Sequence, residues 1–303
     1  MKSSNAPILL QLVLVCCFAL AQNTPGKPES STAEVVTPQL SEDQIRDLIR
    51  QAADRDIEND RKQHDYTYIQ REEEHKLDGK GQVKSSESRT YEIMVLYEEQ
   101  VRKLIAKNDR LLPDNDARKE DEKIQKIIEK GKNEREDNRR KRVEKQNKDR
   151  EEARQFVREI ADAYNFHFSA KENLDGHETS VIDADPRPGY EPHMKNARFL
   201  PKFRFRVWVD RAEKQWIKLD IQCIDTVSVG LFLVRVHRGS NIQIEQIQVN
   251  DEVWLPKHVA LKLDARVALF KGLNIEENVT YHDYRKFRTD TKIVPVGEAQ
   301  EQR

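Results

Sequence analysis

The chain has 303 residues, of which 37% are hydrophobic and 35% charged, so it can hold one or two domains with an apolar core confined to part of the sequence. Its 53 Lys and Arg against 54 Asp and Glu leave a formal net charge of -1, which gives no electrostatic basis for binding nucleic acid or an anionic membrane surface.

Residues 1–21 read as an export signal peptide. Lys2 supplies the positive start, ILLQLVLVCCFALA the apolar region and Ala19-Leu20-Ala21 the small-x-small cleavage pattern, while the run falls short of the ~20 residues a spanning helix needs. The expected location is periplasmic or exported. An uncleaved anchor, or a lipid-anchored amino terminus at Cys16 or Cys17, is the alternative, although Val15 and Cys16 are poor residues to precede a lipoprotein cleavage site. Cys223 is then the one cysteine left, so no internal disulfide forms and stability must come from packing. It shares parity with Ile217, Leu219 and Ile221 and reads as a small buried core residue rather than a nucleophile.

Residues 22–40 read as a flexible Pro/Ser/Thr-rich linker. A helix follows from Ser41, with Ser41 and Gln44 in a capping-box pattern, Leu40 and Ile45 as a hydrophobic staple, and an apolar stripe of Ile45, Leu48, Ile49 and Ala52. From Tyr66 the period changes to two. Tyr66 to Glu74 and Val83 to Tyr97 form a hairpin about the turn DGKG, with Tyr91, Ile93, Val95 and Tyr97 on one side. A smaller hairpin turns at Asn108-Asp109.

A charged segment then spans 113–161. Between Glu129 and Arg154 the only apolar side chains are Val143 and Ala153, so this stretch is a solvated helix or a disordered insertion without a coiled-coil seam. Ile124, Ile127 and Ile128 near its start, and Phe156, Val157 and Ile160 near its end, can dock it on the domain. After Tyr164 the two-residue period returns through Phe166 and Phe168, the Asp175-Gly176 turn, Val181, a proline-rich loop, and the runs Phe203 to Val209 and Ile217 to Cys223. Residues 225–240 crowd Val227, Val229, Leu231, Phe232, Leu233 and Val236 about Gly230. They read as a core hairpin or as an apolar tip for transient membrane contact. Strands at Ile242 and Ile244, at 253–269, and from Val279 to Phe287 complete the series.

Roughly ten strands with short links must pair antiparallel, giving one large sheet that is apolar on one face. The fold class expected is mainly β (α+β): a large curved antiparallel sheet forming a half-open barrel, helices across its mouth, plus the long charged helical insertion. The inward face is expected to carry Phe203, Phe205, Val207, Ile217, Leu219, Ile221, Ile242, Ile244, Val259, Leu261, Leu263, Val267 and Leu269. Periodicity leaves open whether this face lines an apolar cavity for an acyl chain or meets across a filled core.

The order of an exported signal, a leading helix, long one-sided strands and the run NDEVWLPKHVALKLDARVALFK…VTYHDYRKFRTDTKIV resembles the outer-membrane lipoprotein carrier (LolA-like) superfamily, over about residues 60–294. The resemblance implies one domain over 41–294 with the 113–161 segment inserted and a tail at 295–303. It implies binding of lipid or lipoprotein acyl chains in the concavity, no catalysis, no cofactor and a monomer. The charged segment, which the carrier lacks, is the expected contact for an envelope protein partner. That contact defines the alternative reading, an envelope sensor or interaction module with a filled core.

No G-x-S-x-G, H-E-x-x-H or paired zinc-ligand cysteines occur, and no metal site is expected. His282 and Asp283 adjoin on a strand and are expected to point apart; His258, His282 and Lys262 read as solvent-face residues. Asp183 and Asp185 share a parity, which reads as loop capping before a cation site. Asn278 heads a glycosylation-type triplet inside a strand.

Overall fold

The computed structural model describes residues 40–97, 99–229, 234–267 and 271–287. The signal peptide, most of the linker, Leu269, the tip of the 225–240 hairpin and the tail lie outside the described residues.

Helix α1, Glu42–Gln63, begins as its sequence dictates. The Ser41 hydroxyl accepts from the Gln44 N–H at 3.3 Å, and Gln44 Oε1 accepts from the Ser41 N–H at 2.8 Å. Four strands follow: β1 Tyr66–Leu77, β2 Val83–Leu96, β3 Glu99–Lys107 and β4 Arg110–Leu111. The charged segment forms α2, Asp114–Lys132, and α3, Glu136–Ala163. Then come β5 Tyr164–Leu174, β6 His177–Pro186, a 3-10 turn Ala197–Lys202, β7 Phe203–Asp210, β8 Trp216–Cys223, β9 Val227–Val229 and β10 Val234–Val236. The last three are β11 Asn241–Val249, β12 Val253–Val267 and β13 Lys271–Lys286. The 225–240 segment is a hairpin, as the crowding of valines predicts.

All thirteen strands belong to one antiparallel sheet, in the order β4-β3-β2-β1-β13-β12-β11-β8-β7-β6-β5 with β9 and β10 beside β12. The sheet does not close, since β4 and β5 stand at its two edges. The fold is thus mainly β, a half-open barrel with helices against it. β12, with 15 residues, is roughly 50 Å long, about twice the usual strand length.

The edge positions explain the charged segment. β4 and β5 are consecutive strands at opposite edges, so the 113–161 segment is the crossover that carries the chain from one edge to the other. Its two ends dock through the isoleucines and aromatics expected to do so. Ile124, Ile127 and Ile128 pack with Met94, Leu96 and Val101 on β2 and β3, and Phe156 and Ile160 join the main core. α3 has 28 residues, a length of ~42 Å, and its middle is solvated through i,i+3 and i,i+4 ion pairs such as Arg140–Asp137 and Lys145–Asp149.

The main core lies where α1 and the end of α3 cross β5 to β8. Ile45, Ile49 and Ala52 of α1 meet Phe156, Tyr164, Phe166, Ile182, Val207 and Val209. Glu159 on α3 ties the proline-rich loop to this core. Its carboxylate accepts from the Tyr190 hydroxyl at 2.5 Å and from the N–H groups of His193 and Met194 at 2.5 and 3.2 Å.

Candidate functional site: an apolar floor ending in carboxylates

Two rows of side chains cross the inward face of the sheet. Strand register places Ile182, Val207, Leu219, Ile244, Val259 and Val279 side by side in one row. The second row runs Ala184, Phe205, Ile221, Ile242, Leu261 and Glu277. Directly opposite residues on antiparallel strands stand ~5 Å apart, so each row is a continuous contact surface across six strands.

The helices cover only one end of this floor. Over β7 and β8 a cavity of about 120 Å3 remains, walled by Ile49, Ala52, Ala53 and Asp56 from α1, Val157 and Ile160 from α3, Tyr164 and Leu200, and floored by Phe205, Val207, Trp216, Leu219 and Ile221. Tyr164 is buried and satisfied, donating to the carbonyls of Leu200 and Phe203 at 2.7 and 3.1 Å. Burial holds its hydroxyl well above the usual tyrosine range. Asp56 accepts from Trp216 Nε1 at 2.8 Å and from Gln215 Nε2 at 3.3 Å. Burial raises its carboxyl above the ordinary aspartate value, and those two hydrogen bonds oppose the rise.

Beyond the cavity, Leu219, Ile244, Val259 and Leu261 are half-buried and form one cluster with the buried Ile221 and Ile242. At β13 the floor changes character. Glu277 lies opposite Glu74 on β1, and Val279 opposite Glu72. Glu72 is ion-paired with Arg102, whose guanidinium stacks over the Tyr91 ring at 4.0 Å. Glu277 is pushed up to about 7, first by burial and then by the charges of Glu72 and Glu74, against the opposing pull of Arg102 and Arg89.

The expected site residues divide among these environments. Phe205, Val207, Leu219 and Ile221 line the cavity, while Ile242, Ile244, Val259 and Leu261 extend the floor. Leu263 packs instead with Ala265 and Ile275, Phe203 with Cys223 and Val227, and Val267 sits at the strand end opposite Val234. Ile217 is displaced. A bulge between the pairs Trp208↔Lys218 and Val209↔Trp216 inserts one residue, so Trp216 takes the cavity position that strict alternation assigns to Ile217. Trp216 and Asp56 therefore escaped the sequence reading. Glu277 carried a legible signal, being flanked at two-residue spacing by Ile275 and Val279.

Three smaller expectations change. His282 and Asp283 do approach, at 3.1 Å, because Asp283 adopts a φ of 56° at a break in the β1–β13 register; both are exposed. Asp183 and Asp185 lie within β6, where Arg206 grips the first at 2.5 and 2.9 Å and Arg204 faces the second at 3.6 Å, so neither caps a loop. His258 is half-buried rather than fully on the solvent face.

Among solved structures, the chain is similar to a domain from Vibrio parahaemolyticus assigned to outer membrane lipoprotein sorting, at 13% identity over 80% of this chain and 95% of that chain, with a TM-score of 0.32. The LolA superfamily protein NE2245 from Nitrosomonas europaea aligns at 9% identity over 80% and 93%, with a TM-score of 0.27. The MucA/MucB complex of Pseudomonas aeruginosa aligns at 9% identity over 80% and 98%, with a TM-score of 0.20. The LolA-like resemblance is met again here. No family model matches the chain, and no curated protein matches it. Strand order and register, rather than these likenesses, define the fold.

Proposed function

We propose that this protein is a periplasmic carrier or binding protein for the acyl chains of lipids or lipoproteins, held on the apolar floor without any catalytic step. The observation that carries this reading is the pair of apolar rows that run on from the cavity into the half-buried Leu219, Ile244, Val259 and Leu261. A filled core would leave no such surface.

Size constrains the mode of binding. An apolar cavity of ~150 Å3 accommodates one benzene-sized guest, so 120 Å3 takes only the end of a long chain. The remaining methylenes lie along the row from Ile244 to Leu261. Each buried methylene contributes about 0.8 kcal/mol, so ten of them supply roughly 8 kcal/mol before the costs of ordering.

Lipid extraction and native mass spectrometry of the purified protein test the proposal. Bound lipid is expected, together with its loss in Leu261→Asp. Protein that stays free of lipid and takes up no fluorescent fatty-acid probe overturns it.

A further inference from the structure

The two edges of the sheet are treated differently. At one, α2 closes β3: the Glu120 carboxylate accepts from the Leu104 N–H at 3.1 Å, Lys123 donates to the Arg102 carbonyl at 3.1 Å, and β4 pairs with Ala106 and Lys107. Edge strands left bare are templates for pairing, and this one is covered by its own chain. At the other edge, β5 runs 11 residues and pairs only with β6. Among the described residues, no side chain is bonded to its backbone between Asn165 and Lys171.

A groove of about 450 Å3 runs beside the first half of β5. Leu40 and Ile45 form one wall, and Phe166 and Phe168 the other. Leu40 is also the first described residue of the chain, so the segment before it starts inside the groove. That segment reads Thr32-Ala33-Glu34-Val35-Val36-Thr37, β-branched at four positions of six, and ends at Pro38, which has no N–H to continue a ladder. Six residues extend ~20 Å, the length of β5 from Asn165 to Lys171. Pro38 and Gln39 are a two-residue tether, and short tethers raise the effective concentration of a segment to about the millimolar range.

We propose that residues 32–37 pair with the free edge of β5 as an additional strand, completing the sheet from within the same chain. The occupant is this segment because it is β-prone, of matching length, and delivered to the groove by its own connection.

Amide hydrogen exchange tests this on the full chain, on a variant lacking residues 31–38, and on Val35→Pro, which keeps the chain length but removes a ladder donor. The amides of residues 165–171 are expected to exchange at least tenfold faster in both variants, with β1 and β13 amides unchanged as the folding control. Equal exchange in all three proteins overturns the proposal. So does protection that survives the deletion and rises with protein concentration, which would place a second copy at this edge.

Discussion

The ring of Tyr97 occupies the space that a β-carbon on Gly131 would need. Tyr97 ends the turn between β2 and β3 with a φ of 54°, its hydroxyl donates to the Ile128 carbonyl at 3.0 Å, and its own carbonyl accepts from Arg142 at 2.8 Å. The elbow between α2 and α3 is therefore latched to the sheet by one aromatic ring against one glycine. In a free helix Gly131→Ala would stabilise by about 1 kcal/mol. Here the ring must swing out, and the substitution is expected to destabilise by roughly 1–2 kcal/mol through lost packing and the lost hydrogen bond. In a Tyr97→Ala background the same change should become neutral or stabilising. Urea melts of the four proteins in this double-mutant cycle read the coupling.

Glu277 makes stability depend on pH. Its folded pKa of about 7 exceeds the model carboxyl value of 4.5, so between those pH values the folded state binds more protons than the unfolded one. The favourable term is fully present below pH 4.5, falls as pH rises, and is gone above about 7. The full difference is roughly 3 kcal/mol. Glu277→Gln is expected to be more stable than the parent at pH 8 and to lose this slope, as chemical denaturation from pH 4.5 to 8 will show.

Filling the cavity separates binding from folding. Ala53 faces the cavity from α1. Ala53→Phe should occupy the 120 Å3 and lower affinity for a fluorescent acyl probe at least tenfold while leaving the melting temperature unchanged or raised. Unaltered probe affinity would place the ligand elsewhere.

Glu159 is 5% exposed at its side chain and satisfies three donors of the proline-rich loop. Glu159→Ala leaves the Tyr190 hydroxyl and two N–H groups unpaired, with an expected cost of about 3 kcal/mol in urea unfolding. Burial and the bond to Glu159 both hold the Tyr190 hydroxyl above its usual range, so its ultraviolet titration should move back down in the variant.

Much of the fold was legible because local chemistry dictates it. The Ser41–Gln44 box, the turns at Asn108-Asp109 and Asp175-Gly176, and the alternation through Phe205, Leu219, Ile242 and Leu261 are set by backbone geometry and by which parity is apolar. Alternation fails where a strand gains a residue, which is why Trp216 replaced Ile217 and why His282 meets Asp283. No sequence period records such a bulge.

By itself, the sequence determined that one antiparallel sheet with a single apolar face would form and that 113–161 could bury little beyond its two ends. Only the tertiary structure decided that β4 and β5 stand at opposite edges, which turns the charged segment into a crossover, and that the apolar rows end against Glu277 and Glu74. The physical reason is that side-chain parity is local to each strand, whereas neighbour order and register arise from contacts far apart in the chain.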